Sequence, residues 1–424
     1  MQDHLGRPVV VVTGLGLVTS LGQGKADNWA ALTSGRSGIR RISRFPTDGL
    51  KTTIAGTVDF VAAEPFCAAQ LSENFARLAV EEAVSEAAIG ARGDFPGPLF
   101  IAVPPVEMEW PQREELAKAS GQTGDVTYAD LLKAAGTGAF KPWHDLFLFG
   151  TVADRLADTF GTKGSPISLS TACSSGATAI QLGVEAIRRG ETDAALCVGT
   201  DGSVQAEALI RFSLLSALST QNDPPEGASK PFSKNRDGFV MGEGAAALVL
   251  ESYASAKARG AKILGVIAGC GEKGDGFHRT RTSPDGMPAI LAMRGAIADA
   301  GLTPDDIDYV NAHGTSTPEN DKMESLGCMS VMGERMKSVP ISSNKSMIGH
   351  TLTAAGAVEA VFSLLTIANQ KIPPTINYAQ PDPAIPLDVV PNVAREARVR
   401  HVMSNSFGFG GQNTVLLFSA EAGK

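Results

Sequence analysis

Ser168-Leu169-Ser170-Thr171-Ala172-Cys173-Ser174-Ser175-Gly176 is the stretch whose reading decides the rest of the chain. Pro166 to Ala172 alternates as a strand does. Ala177, Ile180, Val184 and Ile187 then recur on one face of a helix. Gly190, after Arg188 and Arg189, ends that helix. Cys173 therefore falls where a strand turns into a helix N-terminus, whose free N–H groups and dipole favour a thiolate. The bland alternative is a small buried hydrophobe, the usual fate of a free cysteine.

The 424 residues suffice for two domains or one large double unit. A 43% hydrophobic content rich in glycine suits tightly packed α/β layers. The net charge of −8, without a basic run, argues against a nucleic-acid partner. Cys67, Cys173, Cys197, Cys270 and Cys328 are scattered and odd in number. They predict neither a disulfide framework nor a zinc cluster, and they fit a reducing cytoplasm. No signal peptide or membrane span is expected.

Val9 to Val12 predicts a strand entering a glycine-rich turn, Thr13-Gly14-Leu15-Gly16. That turn lacks the spacing of a dinucleotide fingerprint. Helices are expected over 25–33, 71–89, 143–160, 206–218, 288–300 and 351–369, and strands over 99–103, 194–199, 245–250 and 307–311. Residues 106–141 form the least regular part. Strand and helix alternate in both halves, which predicts stacked α/β layers and an internal duplication.

Three stretches of the second half carry chemistry. Asn311-Ala312-His313-Gly314-Thr315-Ser316-Thr317-Pro318 puts His313 at the carboxyl end of a strand, with the Thr315 and Thr317 hydroxyls nearby. Ser343-Asn344-Lys345-Ser346-Met347-Ile348-Gly349-His350 precedes an apolar helix, so a buried Lys345 needs a partner; Asp321 and Glu324 are the candidates. Ser404-Asn405-Ser406-Phe407-Gly408-Phe409-Gly410-Gly411 lets backbone approach a ligand and aim N–H groups at developing charge, or is simply a turn between strands.

Together these stretches resemble the β-ketoacyl-acyl-carrier-protein synthases of the thiolase superfamily, specifically the elongating type II condensing enzymes. The likeness extends to Lys230-Pro231-Phe232, Arg236-Asp237-Gly238-Phe239 and Pro373-Pro374-Thr375-Ile376-Asn377. It implies a five-layer α-β-α-β-α fold with two pseudo-duplicated halves, residues 1–255 bearing the cysteine and 256–424 the two histidines. It implies an acyltransferase that joins malonyl thioester to a cysteine-bound acyl chain by decarboxylative Claisen condensation in fatty acid elongation. Cys173 would be the nucleophile, with the N–H groups of Cys173 and Phe409 as oxyanion donors. His313 and His350 would stabilise the enolate, and Lys345, with Glu324 and Asp321 nearby, would fix His313 and the local field. Thr315 and Thr317 would bind the phosphopantetheine arm, while Phe212 and Phe407 would line and gate the pocket. No metal or redox cofactor is implied. The partners implied are an acyl carrier protein and a second copy of the chain.

The sequence departs from the family pattern in three places. Pro104-Pro105-Val106-Glu107-Met108-Glu109-Trp110 stands where a glycine-rich stretch is usual. Phe66-Cys67-Ala68-Ala69-Gln70 replaces a basic cluster, and Ser216 an arginine. These differences keep open a specialised ketosynthase for very-long-chain, nodulation-factor or polyketide lipids. A heterodimeric partner subunit is the other alternative, though such subunits typically lack the cysteine.

Overall fold

The computed structural model describes residues 1–63, 67–105 and 107–421, so Phe66 and Val106 lie outside the described residues. Ten strands carry the architecture. In the first half they are β1 (Val10–Thr19), β2 (Leu99–Ala102), β3 (Ile167–Leu169), β4 (Ala194–Asp201) and β5 (Gly244–Ser252). In the second they are β6 (Gly265–Gly274), β7 (Tyr309–Asn311), β8 (Pro340–Ser342), β9 (His401–Phe407) and β10 (Gln412–Ser419). The spatial order β1-β5-β4-β2-β3 is matched by β6-β10-β9-β7-β8. The strand senses match as well: each half begins with two antiparallel pairings and ends with two parallel ones.

The helices repeat in step. α1 (Ala68–Ala87), α2 (Thr151–Phe160) and α3 (Ser175–Arg188) have counterparts in α4 (Met287–Asp299), α5 (Pro318–Met332) and α6 (Ala355–Asn369). α1 covers the outer face of the first half-sheet and α4 that of the second, while α3 and α6 pack between them. The layers are therefore α-β-α-β-α, as the thiolase-like fold requires. Val10–Val12 of β1 pair with Gly265–Ile267 of β6 and join the half-sheets edge to edge.

α6 is apolar on all sides because it is the middle of this sandwich. Val358, Val361, Phe362 and Leu364 are fully buried. Each contributes about 1.5–3 kcal/mol by leaving water. With the turn before it, Leu352–Asn369 is long and apolar enough to cross a membrane, but most of it is buried inside the protein. Gly176 and Gly356 mark where α3 and α6 cross. A Cβ on Gly176 would meet Ala357 N at 2.6 Å, and one on Gly356 would meet Ala177 N at 2.4 Å.

The expected turn at Thr13-Gly14-Leu15-Gly16 does not exist, since β1 runs straight through it with a bulge at Thr13. The glycines are there for close packing. A Cβ at Gly14 or Gly16 would sit about 2.0 or 1.8 Å from the Ala83 and Ala79 carbonyl oxygens of α1. The helix expected over 143–160 is two, Lys141–Phe147 and Thr151–Phe160, because Leu148 turns extended before Gly150. The helix begun at Ala206 ends at Leu214 rather than Leu218. Residues 110–119 and 128–135 of the irregular segment are helical.

Candidate active site

Cys173, His313 and His350 converge from both halves, each from the carboxyl end of a parallel strand. Cys173 follows β3, His313 follows β7, and Lys345 and His350 follow β8. Ala172 takes a left-handed backbone conformation at φ 50°, unusual for a residue with a Cβ, and turns the chain sharply before Cys173. The Cys173 sulfur and one ring nitrogen from each histidine lie within 4.8 Å of one another. The imidazoles stand edge to face, their centroids 5.3 Å apart. All three residues are buried at the floor of a cavity of about 400 Å³. Phe212, Thr315, Thr317, Phe407 and Phe409 also line it.

Hydrogen bonds assign the tautomers. Leu352 N–H donates to His350 Nδ1 at 3.2 Å, so the His350 proton sits on Nε2. His350 Nε2 is buried and has no hydrogen-bond partner among the described residues. Lys345 Nζ stands 3.5 Å from His313 Nδ1, which leaves the His313 proton on Nε2 as well. Burial first, and the Lys345 charge second, hold both imidazoles neutral, well below the usual histidine range; His350 adds to the effect on His313. Two neutral Nε2–H groups thus face the space above the sulfur. Such a set suits donation to a carbonyl oxygen. A metal ligand would instead need the lone pair that each Nε2–H occupies.

The partner of Lys345 is a correction. Its ammonium pairs with Glu359 of α6, not with Glu324 or Asp321. Glu324 instead accepts the N–H groups of His313 (2.8 Å) and Gly314 (2.7 Å), as well as Asn405 Nδ2. It holds the His313 loop rather than the lysine. Asp321 accepts Phe232 N–H and lies near Arg236, and burial pushes its carboxyl up to about 6. Burial likewise pushes Glu359 up to about 7, against the pull of Lys345. Glu359 left a signal in the sequence, as the lone charge within the apolar run Ala355–Asn369. Thr315 and Thr317 share a hydrogen bond between hydroxyls at 2.8 Å, and Thr317 caps α5.

The thiol is a second correction. Complete burial pushes Cys173 up to about 11, outweighing the Phe409 N–H and the Lys345 charge, which both favour the thiolate. The expected low thiol pKa fails because the helix N-terminus acts inside a dry pocket. The alkylation rate of Cys173 by iodoacetamide should therefore climb about tenfold per pH unit between pH 7 and 9, with the thiolate fraction. A plateau already reached at pH 7 would contradict this.

Phe409 N–H reaches the sulfur because Gly408 lies against the Cys173 turn. A Cβ on Gly408 would meet Thr171 O at 2.8 Å and Cys173 N at 3.4 Å. The glycine-rich stretch is at once the expected turn between strands, β9 and β10, and a wall of the site. The Phe407 ring lies 5.7 Å from His313. Phe212 packs on Phe239 at 5.3 Å, and Phe239 on His350 at 5.5 Å.

The family model for the β-ketoacyl synthase N-terminal domain matches residues 7–84 and 119–256, and that for the C-terminal domain matches 264–379. The chain belongs to the β-ketoacyl synthase family. It is 39% identical over 421 residues to 3-oxoacyl-[acyl-carrier-protein] synthase 2 of Vibrio cholerae, covering 96% of this chain and 98% of that protein. The Coxiella burnetii synthase of the same name is 37% identical over 430 residues, covering 97% and 98%. Among solved structures, a type II polyketide ketosynthase in complex with its acyl-carrier protein and bound to the hexaketide superposes with a TM-score of 0.87 at 33% identity. That match covers 98% of this chain and all of that one. β-Ketoacyl synthases are condensing acyltransferases.

Proposed function

We propose that the protein is a 3-oxoacyl-acyl-carrier-protein synthase that elongates fatty acids. The observation carrying this reading is the meeting of one thiol with two neutral Nε2–H donors on a single cavity floor. Cys173 Sγ attacks the carbonyl of an acyl thioester, and the carrier's thiol leaves. The oxyanion takes the N–H groups of Cys173 and Phe409, the latter already directed at the sulfur. Malonyl thioester then binds with its thioester oxygen between His313 and His350. Their protons stabilise the enolate as carbon dioxide departs. The carbanion attacks the Cys173 thioester, and the collapse of that adduct returns the thiolate. Lys345 and Glu359 hold His313 in the right tautomer. No step calls for a metal or redox group; the loss of carbon dioxide drives the condensation.

The substrate arm enters past the Thr315 and Thr317 hydroxyls. Arg279 and Arg281 are exposed on the cavity rim and would meet an acidic acyl carrier protein. Reversing both, as Arg279→Glu with Arg281→Glu, should raise KM for carrier-borne substrates about tenfold with kcat retained. The loss should shrink for pantetheine thioesters lacking the carrier. An equal KM for carrier-borne substrates would remove these arginines from the docking surface.

A homodimer fits the free outer edge of β3, where Ile167 is exposed, and the exposed Ile210 and Leu214 of the helix Ala206–Leu214. A cytoplasmic setting fits five unpaired cysteines. Dedication to a polyketide-type lipid is the second reading, favoured by the likeness to a ketosynthase bound to a hexaketide. The test of the whole is mass spectrometry of Cys173 acylation across chain lengths and carriers. No adduct from any thioester would overturn it.

A further inference from the structure

Away from the reacting groups, one buried carboxylate joins the starts of three helices. Glu109 is only 3% exposed. It stands at the N-cap position of the helix Trp110–Ala119. It accepts Ala68 N–H, at the start of α1, at 2.6 Å. Gln205 stands at the N-cap position of the helix Ala206–Leu214. With its amide nitrogen turned toward Glu109, Gln205 donates to both carboxylate oxygens at 2.8 Å. Two further ties follow the same seam. Trp110 N–H donates to Glu207 at 2.6 Å, and Glu107 pairs with Arg211.

The helix tied down in this way carries Phe212 into the catalytic cavity, where it packs on Phe239 and so against His350. Three contacts from residues 107–110 thus set the height and rotation of the helix that presents one apolar wall of the cavity. We propose that Glu109 is a positioning residue that sets acyl chain-length selectivity by holding the Phe212 helix through Gln205. The inference rests on the reading of Cys173 as the acylated nucleophile, but it concerns a residue that touches neither substrate nor reacting atoms. The buried contacts dominate the seam. The Glu107–Arg211 pair is about half exposed on each side, where such pairs contribute little. The carboxyl of Glu109 is pushed up to about 7, chiefly by burial. It therefore gains from the two donors it meets.

The experiment compares kcat/KM for acylation of Cys173 by saturated acyl-carrier thioesters of graded length in the full-length enzyme. Wild type, Glu109→Ala, Glu109→Gln and Gln205→Leu are measured, with malonyl decarboxylation as the basal activity. Glu109→Ala and Gln205→Leu should change the long-to-short preference about tenfold, the scale of a methylene-sized change in an apolar pocket. Decarboxylation should be unchanged, and Glu109→Gln, which keeps polar contacts to both neighbours, should hold the wild-type profile. Superimposable length profiles in folded variants, even with a lowered Tm, would overturn the proposal. Should Glu109→Ala not fold, Gln205→Leu decides alone, because it leaves the Ala68 contact intact. A wild-type enzyme that takes no acyl chain would instead overturn the proposed function, a distinct result.

Discussion

Cys173→Ala should abolish acyl transfer, with a loss of at least about 10⁴-fold in condensation, while malonyl decarboxylation continues. The two activities separate because they use different atoms. Acyl transfer needs a bond to sulfur, and Cys173 is the only cysteine among the described residues that line the cavity. Decarboxylation needs only the Nε2–H donors, whose tautomers are set by Leu352 N–H and Lys345 and not by the thiol. Intact-protein mass after incubation with an acyl-carrier thioester, alongside carbon dioxide release from malonyl-carrier, reads both. Condensation at the wild-type rate by the variant would remove Cys173 from the mechanism.

His313→Ala and His350→Ala form the mirror experiment. Each removes one donor to the enolate oxygen in a dry pocket, where such a donor is worth about 10²–10³ in rate. The variants should still form the acyl adduct on Cys173, at a changed rate, but decarboxylate malonyl thioester poorly. The pH dependence has a definite sign. Burial and Lys345 hold both imidazoles well below the usual histidine range. Each is already neutral at pH 6.5, and lowering the pH from 8 to 6.5 should leave decarboxylation flat. A decline centred near pH 6.5 would mean that the rings titrate like exposed histidines. The same shift bears on stability. Unfolded histidines bind protons below about pH 6.5 that the native rings refuse, so this part of the stability is present above that pH and is lost as the pH falls through it.

Much of this was legible before the structure. Strand-helix alternation and motif order pointed to both the duplicated layers and the three residues at the centre. What escaped was set by packing across the sandwich. Gly14 and Gly16 look like a turn, yet they exist because α1 lies on β1 too closely for any Cβ. Glu324 and Asp321 look like partners for Lys345 because they follow the His313 motif, although neither is the nearest acid along the chain. The actual partner, Glu359, lies only 14 residues on, and the packing of α6 against α3 and β9 fixes its place beside the lysine. The thiol could be placed at a helix start from sequence. How dry its pocket is could not, and dryness decided the direction of its pKa. Glu109 drew notice only as a departure from a glycine-rich pattern, because its role depends on Ala68 and Gln205, far away in the chain.

The contact of Gly176 with Ala357 and of Gly356 with Ala177 is reciprocal, each repeat offering the other the same bare spot. A two-fold pseudo-axis must therefore run between these glycines, a few residues from the sulfur on one side and from His350 on the other. Two related corners were brought face to face and then given opposite duties, one to attack and one to donate protons. Neither repeat expressed alone could hold a working centre, and mixing the two as separate polypeptides would restore turnover only if this glycine saddle closed again.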